Sequence, residues 1–139
     1  MLTPATGRVM LSVVDSTLID YFAAWNETNA DKRRQLLGRC VSGDAELIDP
    51  TGRWQGIAKL SDRIGNYHSS APGTTVVPAS GVDEHNGIER YAWKIVDSSG
   101  NELMEGLDIA QRDPTGRLHR IVMFRGPLPP ASAVGPVCV

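Results

Sequence analysis

The apolar positions of the chain follow a helical period first and a strand period afterwards. Val14, Leu18, Tyr21, Phe22 and Trp25 recur every three or four residues, which marks one face of an α-helix. Ser12 with Asp15 three positions on resembles a capping box at its start. A second, shorter helix is predicted from a cap at Thr28 or Asn29, with Leu36 and Leu37 turned inward and Lys32, Arg33 and Arg34 turned to solvent. Ala45 to Asp49 reads as a short strand stopped by the turn Asp49-Pro50-Thr51-Gly52. Ile57, Leu60, Ile64 and Tyr67 then restore the helical spacing and predict a third helix that ends before Pro72 and Gly73.

After Gly73, β-branched and aromatic residues alternate with polar ones. Three turns interrupt them: His85-Asn86-Gly87, Asp97-Ser98-Ser99-Gly100 and Asp113-Pro114-Thr115-Gly116. Strands are predicted at 74–84, 88–96, 102–112 and 117–125. Strands of this length twist and curl, and the helices that precede them must cover one face. The expected fold class is α+β, a cone-like curved antiparallel sheet wrapped on three N-terminal helices and enclosing one pocket. The later strands carry apolar residues on both faces. Leu103, Leu107 and Ile109 oppose Met104 and Ala110, and Leu118, Val122 and Phe124 oppose Ile121 and Met123. One face is needed for the helices, and the other predicts a homodimer.

Composition narrows the function. A chain of 139 residues is one domain's length. Fourteen Lys and Arg against 16 Asp and Glu, with no long run of one sign, argue against nucleic acid as a partner. No apolar stretch approaches the roughly 18 residues of a membrane span, and the first dozen residues lack signal-peptide order. Cys40 and Cys138 are far apart and are expected to be free thiols, so a cytoplasmic location is expected. Residues 1–11 lack periodicity and are expected to be flexible. Residues 12–126 form the expected domain, and 127–139 a Pro-rich tail with Pro127, Pro129, Pro130 and Pro136. His68, His85 and His119 are scattered, with no pair at metal-ligand spacing, and neither a phosphate loop nor a dinucleotide fingerprint is present. No metal or organic cofactor is indicated.

The order helix, helix, short strand, Asp-Pro turn, helix, four-strand meander resembles the nuclear transport factor 2-like superfamily over about Ser12 to Pro130. Its SnoaL-like and ketosteroid-isomerase-like branches match best. The likeness rests on Tyr21-Phe22-Ala23-Ala24-Trp25-Asn26, on Asp49-Pro50-Thr51-Gly52 with Gly56 after it, and on Asp108 with Gly116 eight residues on. It implies a cystatin-like α+β barrel and a cofactor-free acid–base enzyme, an isomerase or polyketide cyclase, acting on a small apolar carbonyl compound. The same fold equally serves noncatalytic ligand-binding or assembly domains. By resemblance, Asp49 is the general base, and Tyr21 and Asp108 form an oxyanion hole. Candidate pocket-lining residues are Trp25, Ile64, Tyr67, Trp93 and Met104. The resemblance is incomplete where some isomerases carry further tyrosines, because Val41 and Ile64 stand there.

Moving a proton next to a carbonyl needs a base, and donors aimed at the oxygen where charge develops. Asp108 shares its predicted strand face with Met104, Gly106 and Ala110, an apolar row that favours a protonated carboxyl. The alternatives are structural: Tyr21 as a core aromatic, Asp49 as a turn-former, and Asp108 paired with Arg90 or Arg112.

Overall fold

A computed structural model describes residues 14–132; the expectations for Ser12, for residues 1–11 and for Cys138 lie outside this range. Two helices, a two-strand hairpin and a third helix precede five further strands, and all seven strands form one mixed sheet. Helix α1 spans Ser16–Asn26 and is capped by Asp15, whose Oδ1 accepts from Leu18 N at 3.0 Å. Helix α2, Ala30–Cys40, is capped by Asn29, and helix α3, Ile57–Ser70, starts after Gly56. The strands are β1 Val41–Asp49, β2 Gly52–Gln55, β3 Thr75–Pro78, β4 Asp83–His85, β5 Ile88–Val96, β6 Glu102–Arg112 and β7 Leu118–Arg125.

The sheet runs β2-β1-β7-β6-β5-β3, with β4 also on β5. It is not purely antiparallel: β1 lies parallel to β7. The Asp-Pro turn does more than end β1, since Asp49 pairs with Gly52 to close a hairpin and create β2. The first strand predicted after α3 is two short ones, β3 and β4, which pair with opposite ends of β5. Pro78 has no N–H to continue the ladder, and the gap is bridged by Ala79 N bonding Ala92 O and by Ala92 N donating to Ser80 Oγ at 2.8 Å. The last residue of α1 is also tied to this edge. Asn26 donates to Val76 O and accepts from Val76 N, both at 2.8 Å, so its side chain acts as a further strand residue.

The helices pack on the inner face through Leu18, Leu37, Leu60 and Ile64, against Leu47, Leu118 and Ile121 of the sheet, all of them essentially inaccessible. Each such side chain stabilises the fold by about 1.5–3 kcal/mol. Two placements differ from simple periodicity. A bulge at Gln111/Arg112, opposite Leu118 to Arg120, resets the alternation of β7, so Leu118 faces inward with Ile121 and Met123 and not outward with Val122 and Phe124. Arg33 is not solvated but buried between α2 and α3, donating to Ser61 Oγ at 3.0 Å and to Glu27 O at 2.8 Å. Gly65 leaves room for it, because a Cβ there would lie 3.1 Å from the guanidinium.

Candidate functional site

The sheet curls over the helices around one cavity of about 400 Å³ with a mostly apolar wall. Of the predicted residues, Tyr21, Trp25, Tyr67, Trp93, Met104 and Asp108 line it, whereas Ile64 is packed in the core behind it and Asp49 is also not in its wall. Tyr21 and Trp25 come from one face of α1, one turn apart. Trp93, Met104 and Asp108 come from the inward positions of β5 and β6.

Asp108 is 3% exposed. Its Oδ1 accepts the indole N–H of Trp93 at 2.9 Å. Among the described residues its Oδ2 has no donor, and it is not among the sealed atoms. Tyr91 is its cross-strand partner, and the Tyr91 hydroxyl approaches the carboxyl without reaching hydrogen-bond geometry. Burial pushes the Asp108 carboxyl up to about 7; the neighbouring Tyr91 and Trp93 groups restrain the rise, and the charge of Asp49 adds to it. Neither candidate arginine reaches Asp108. Arg90 bonds Asp83 at 2.8 Å, and Arg112 bonds Glu89 at 2.7 Å and Asp15 at 2.8 Å, tying the start of α1 to the sheet.

The ring of Tyr21 touches the cavity, but its hydroxyl is covered and has no hydrogen-bond partner. Burial first, and the Asp108 charge second, hold both the Tyr21 and Tyr91 hydroxyls well above the usual tyrosine range, so they stay protonated. Asp108 therefore has one engaged donor, the Trp93 N–H, with the Tyr91 hydroxyl beside it and the Tyr21 hydroxyl near enough to feel its charge.

Asp49 has a different environment. Its side chain is fully enclosed, Oδ2 receives Arg63 Nε at 2.6 Å, and Oδ1 receives the Thr51 backbone N–H at 2.8 Å and the Thr51 hydroxyl at 2.5 Å. Burial alone would raise this carboxyl, but the Thr51 and Arg63 hydrogen bonds outweigh it and hold it below the usual carboxylate range. Arg63, with Thr51, forms the cavity wall in front of it. The sequence reading missed Arg63 and Tyr91. Arg63 had a signal, since it stands three residues after Leu60 and four before Tyr67 on the apolar face of α3.

Among the described residues no three His, Cys, Asp or Glu side chains converge to hold a metal, and no helix is long and apolar enough to cross a membrane. Cys40 is a free, buried cysteine whose thiol is pushed up to about 12, first by burial.

No protein-family model matches the chain, and no curated protein is significantly similar to it. Solved structures are similar. A SnoaL-like family protein from Agrobacterium tumefaciens str. C58, provisionally an isomerase, superposes with a TM-score of 0.75 at 26% identity, covering 81% of this chain and 96% of that one. This likeness supports the expected placement in the SnoaL-like branch of the nuclear transport factor 2-like superfamily. A provisional polyketide cyclase from Sinorhizobium meliloti has a TM-score of 0.62 at 15% identity, over 80% of this chain and 95% of that one. A nuclear transport factor 2-like protein of unknown function from Exiguobacterium sp. 255-15 has 0.64 at 16%, over 80% and 98%. These two share the fold, and the SnoaL-like cone is what wraps the cavity around Asp108.

Proposed function

We propose that the protein is a cofactor-free acid–base catalyst, isomerase- or cyclase-like, that moves a proton on a small, largely apolar carbonyl compound held in the cavity. One observation carries this reading: the unpartnered Oδ2 of Asp108 faces an apolar cavity with its carboxyl poised at about 7. A carboxyl in that range is populated in both forms near neutrality, which is the condition for taking a proton and returning it. Ionised, it removes the proton beside the carbonyl. Protonated, it donates to the oxygen or carbon that receives the charge. The Trp93 N–H steadies the carboxylate. The two disengaged tyrosine hydroxyls of Tyr21 and Tyr91 support it from the covered side, acting on the ligand through Asp108. Asp49, with both oxygens engaged, is given the task of holding Arg63 rather than that of the base.

The test is α-proton exchange. Enones, β-keto compounds and polyketide-like phenols are screened by thermal shift, and exchange of the C–H next to the carbonyl of each stabilising compound is followed in D₂O by NMR. Asp108→Asn preserves size and the acceptor for Trp93, so binding should persist while exchange falls a hundred- to ten-thousandfold, roughly the range for losing a general acid–base group. Binding without exchange in the native protein would leave a ligand-binding domain of the same fold.

A further inference from the structure

Arg63 is held in a way that leaves part of it unused. Its Nε is committed to Asp49 Oδ2 at 2.6 Å, and its Cζ lies 5.5 Å from the centre of the Trp25 ring, so the guanidinium plane is fixed from two sides. No described residue accepts from its Nη groups, and these are not among the sealed, unpartnered atoms, so they keep accessible surface on a side chain that lines the cavity. The side chain is only 9% exposed. Donors so nearly removed from water, in an apolar wall, call for an acceptor.

The charge balance points the same way. Asp49 is neutralised by Arg63, and burial keeps Asp108 largely uncharged on the acidic side of about 7. Arg125 also lines the cavity, is exposed, and its side chain makes no ion pair or hydrogen bond among the described residues. It leaves an uncompensated positive charge. Asn66, one turn beyond Arg63 on α3, adds an amide at the rim.

We propose that the Nη edge of Arg63 anchors a carboxylate of the ligand, with Arg125 supplying the balancing charge, so that the cavity takes an organic acid with an apolar body. The fork of an arginine matches the two oxygens of a carboxylate, and a preoriented guanidinium loses little freedom on binding. The apolar body then lies against Trp25, Val76, Trp93 and Ile95, in the cavity that Asp108 also lines. Asp49 is thereby a positioning residue. This rests on the reading of the cavity as the ligand site, and it narrows the carbonyl compound to an oxo acid.

Two probes of one shape separate the claims: 2-naphthoate and its neutral amide, 2-naphthamide, titrated calorimetrically into the full chain at pH 7. The acid should bind at least tenfold more tightly. Arg125→Gln, at an exposed position, should cut that preference severalfold. Arg63→Lys keeps the charge beside Asp49 but loses the fork, and should also reduce it. Should that variant not fold, Arg63→Gln with Asp49→Asn removes both charges of the buried pair together and should abolish the preference. Equal affinity for the two probes, or a preference that survives both the Arg125 and the Arg63 changes, overturns the carboxylate anchor while leaving the cavity reading intact. Failure of both probes to bind overturns both.

Discussion

Gly106 lies opposite Trp93 in the β5–β6 ladder, and the missing side chain at Gly106 is what lets the indole reach Asp108. A Cβ built there would collide with Cζ2 and Cε2 of the Trp93 ring and come 2.5 Å from the Phe124 carbonyl oxygen. The indole therefore lies across the strand, with its N–H on the Asp108 carboxyl two residues along.

Gly106→Ala should thus act on the site through Trp93. It should cost about 1–3 kcal/mol, as overpacking does, because the obstacles include backbone as well as the ring. Displacing the indole also removes a hydrogen bond that restrains Asp108, so the carboxyl should titrate above about 7. Trp93→Phe should produce the same shift with less loss of stability. Carboxyl-selective NMR titration beside thermal melts checks both; an unmoved Asp108 in both variants would remove Trp93 from the site.

The raised carboxyl makes stability depend on pH. Unfolded, Asp108 ionises near 3.8; folded, near 7. Between these values the folded state holds the extra proton, so stability falls as pH rises from about 4 to about 7 and then levels off. The full effect is on the order of 4 kcal/mol at this degree of burial. Asp108→Asn should remove that slope, and the variant should gain on the native protein as pH increases from 5 to 8. Urea titrations at those two pH values measure it, and parallel curves would mean that Asp108 is ionised throughout.

The helices and the meander were legible because their periods are unambiguous and Gly-containing turns separate them. What escaped were irregularities that alternation does not encode. Counting back from the Asp97–Asn101 turn puts Tyr91 opposite Leu107, but a register shift at Ile95/Val96 moves it to Asp108. The bulge at Arg112 likewise inverted the reading of Leu118. Arg33 was expected in solvent with Lys32 and Arg34, and only the small Gly65 beside it hinted that a guanidinium was being accommodated, whereas the helical position of Arg63 itself places it inside. Asp108 was legible for a physical reason, since an acid in an apolar inward row must be neutral or paired.

The expected dimer would use the outer face of the sheet. Ile48, Val122 and Ile109 are neighbours across β1, β7 and β6, and Phe124 and Leu107 form the next row. Among the described residues no helix covers them, and Phe124 is 56% exposed. Such a patch favours a second copy of the chain. Sedimentation at micromolar concentration should give a dimer, and Phe124→Glu a monomer with unchanged circular dichroism. A native monomer under those conditions would retire the interface.

Asp49 separates the two assignments of the base. Arg63 is nearly buried, so removing its counter-charge leaves an uncompensated cation; Asp49→Ala should cost about 3–5 kcal/mol at pH 7. Because the folded carboxyl titrates below its usual 3.8, this stabilisation is present above that value and is lost as pH falls through the folded one. The gap between native protein and variant should therefore narrow toward pH 3. Asp49→Asn keeps an acceptor for Thr51 and should fall between the two in stability. It should weaken 2-naphthoate more than 2-naphthamide, because Arg63 is no longer oriented. A general base would behave otherwise. Asp49→Asn would then cut exchange roughly a hundred- to ten-thousandfold with stability barely changed and the probes bound as before. Measuring melting, probe affinity and exchange on the same pair of proteins decides between them, and that second pattern would return the proton to Asp49 and leave Asp108 as a donor.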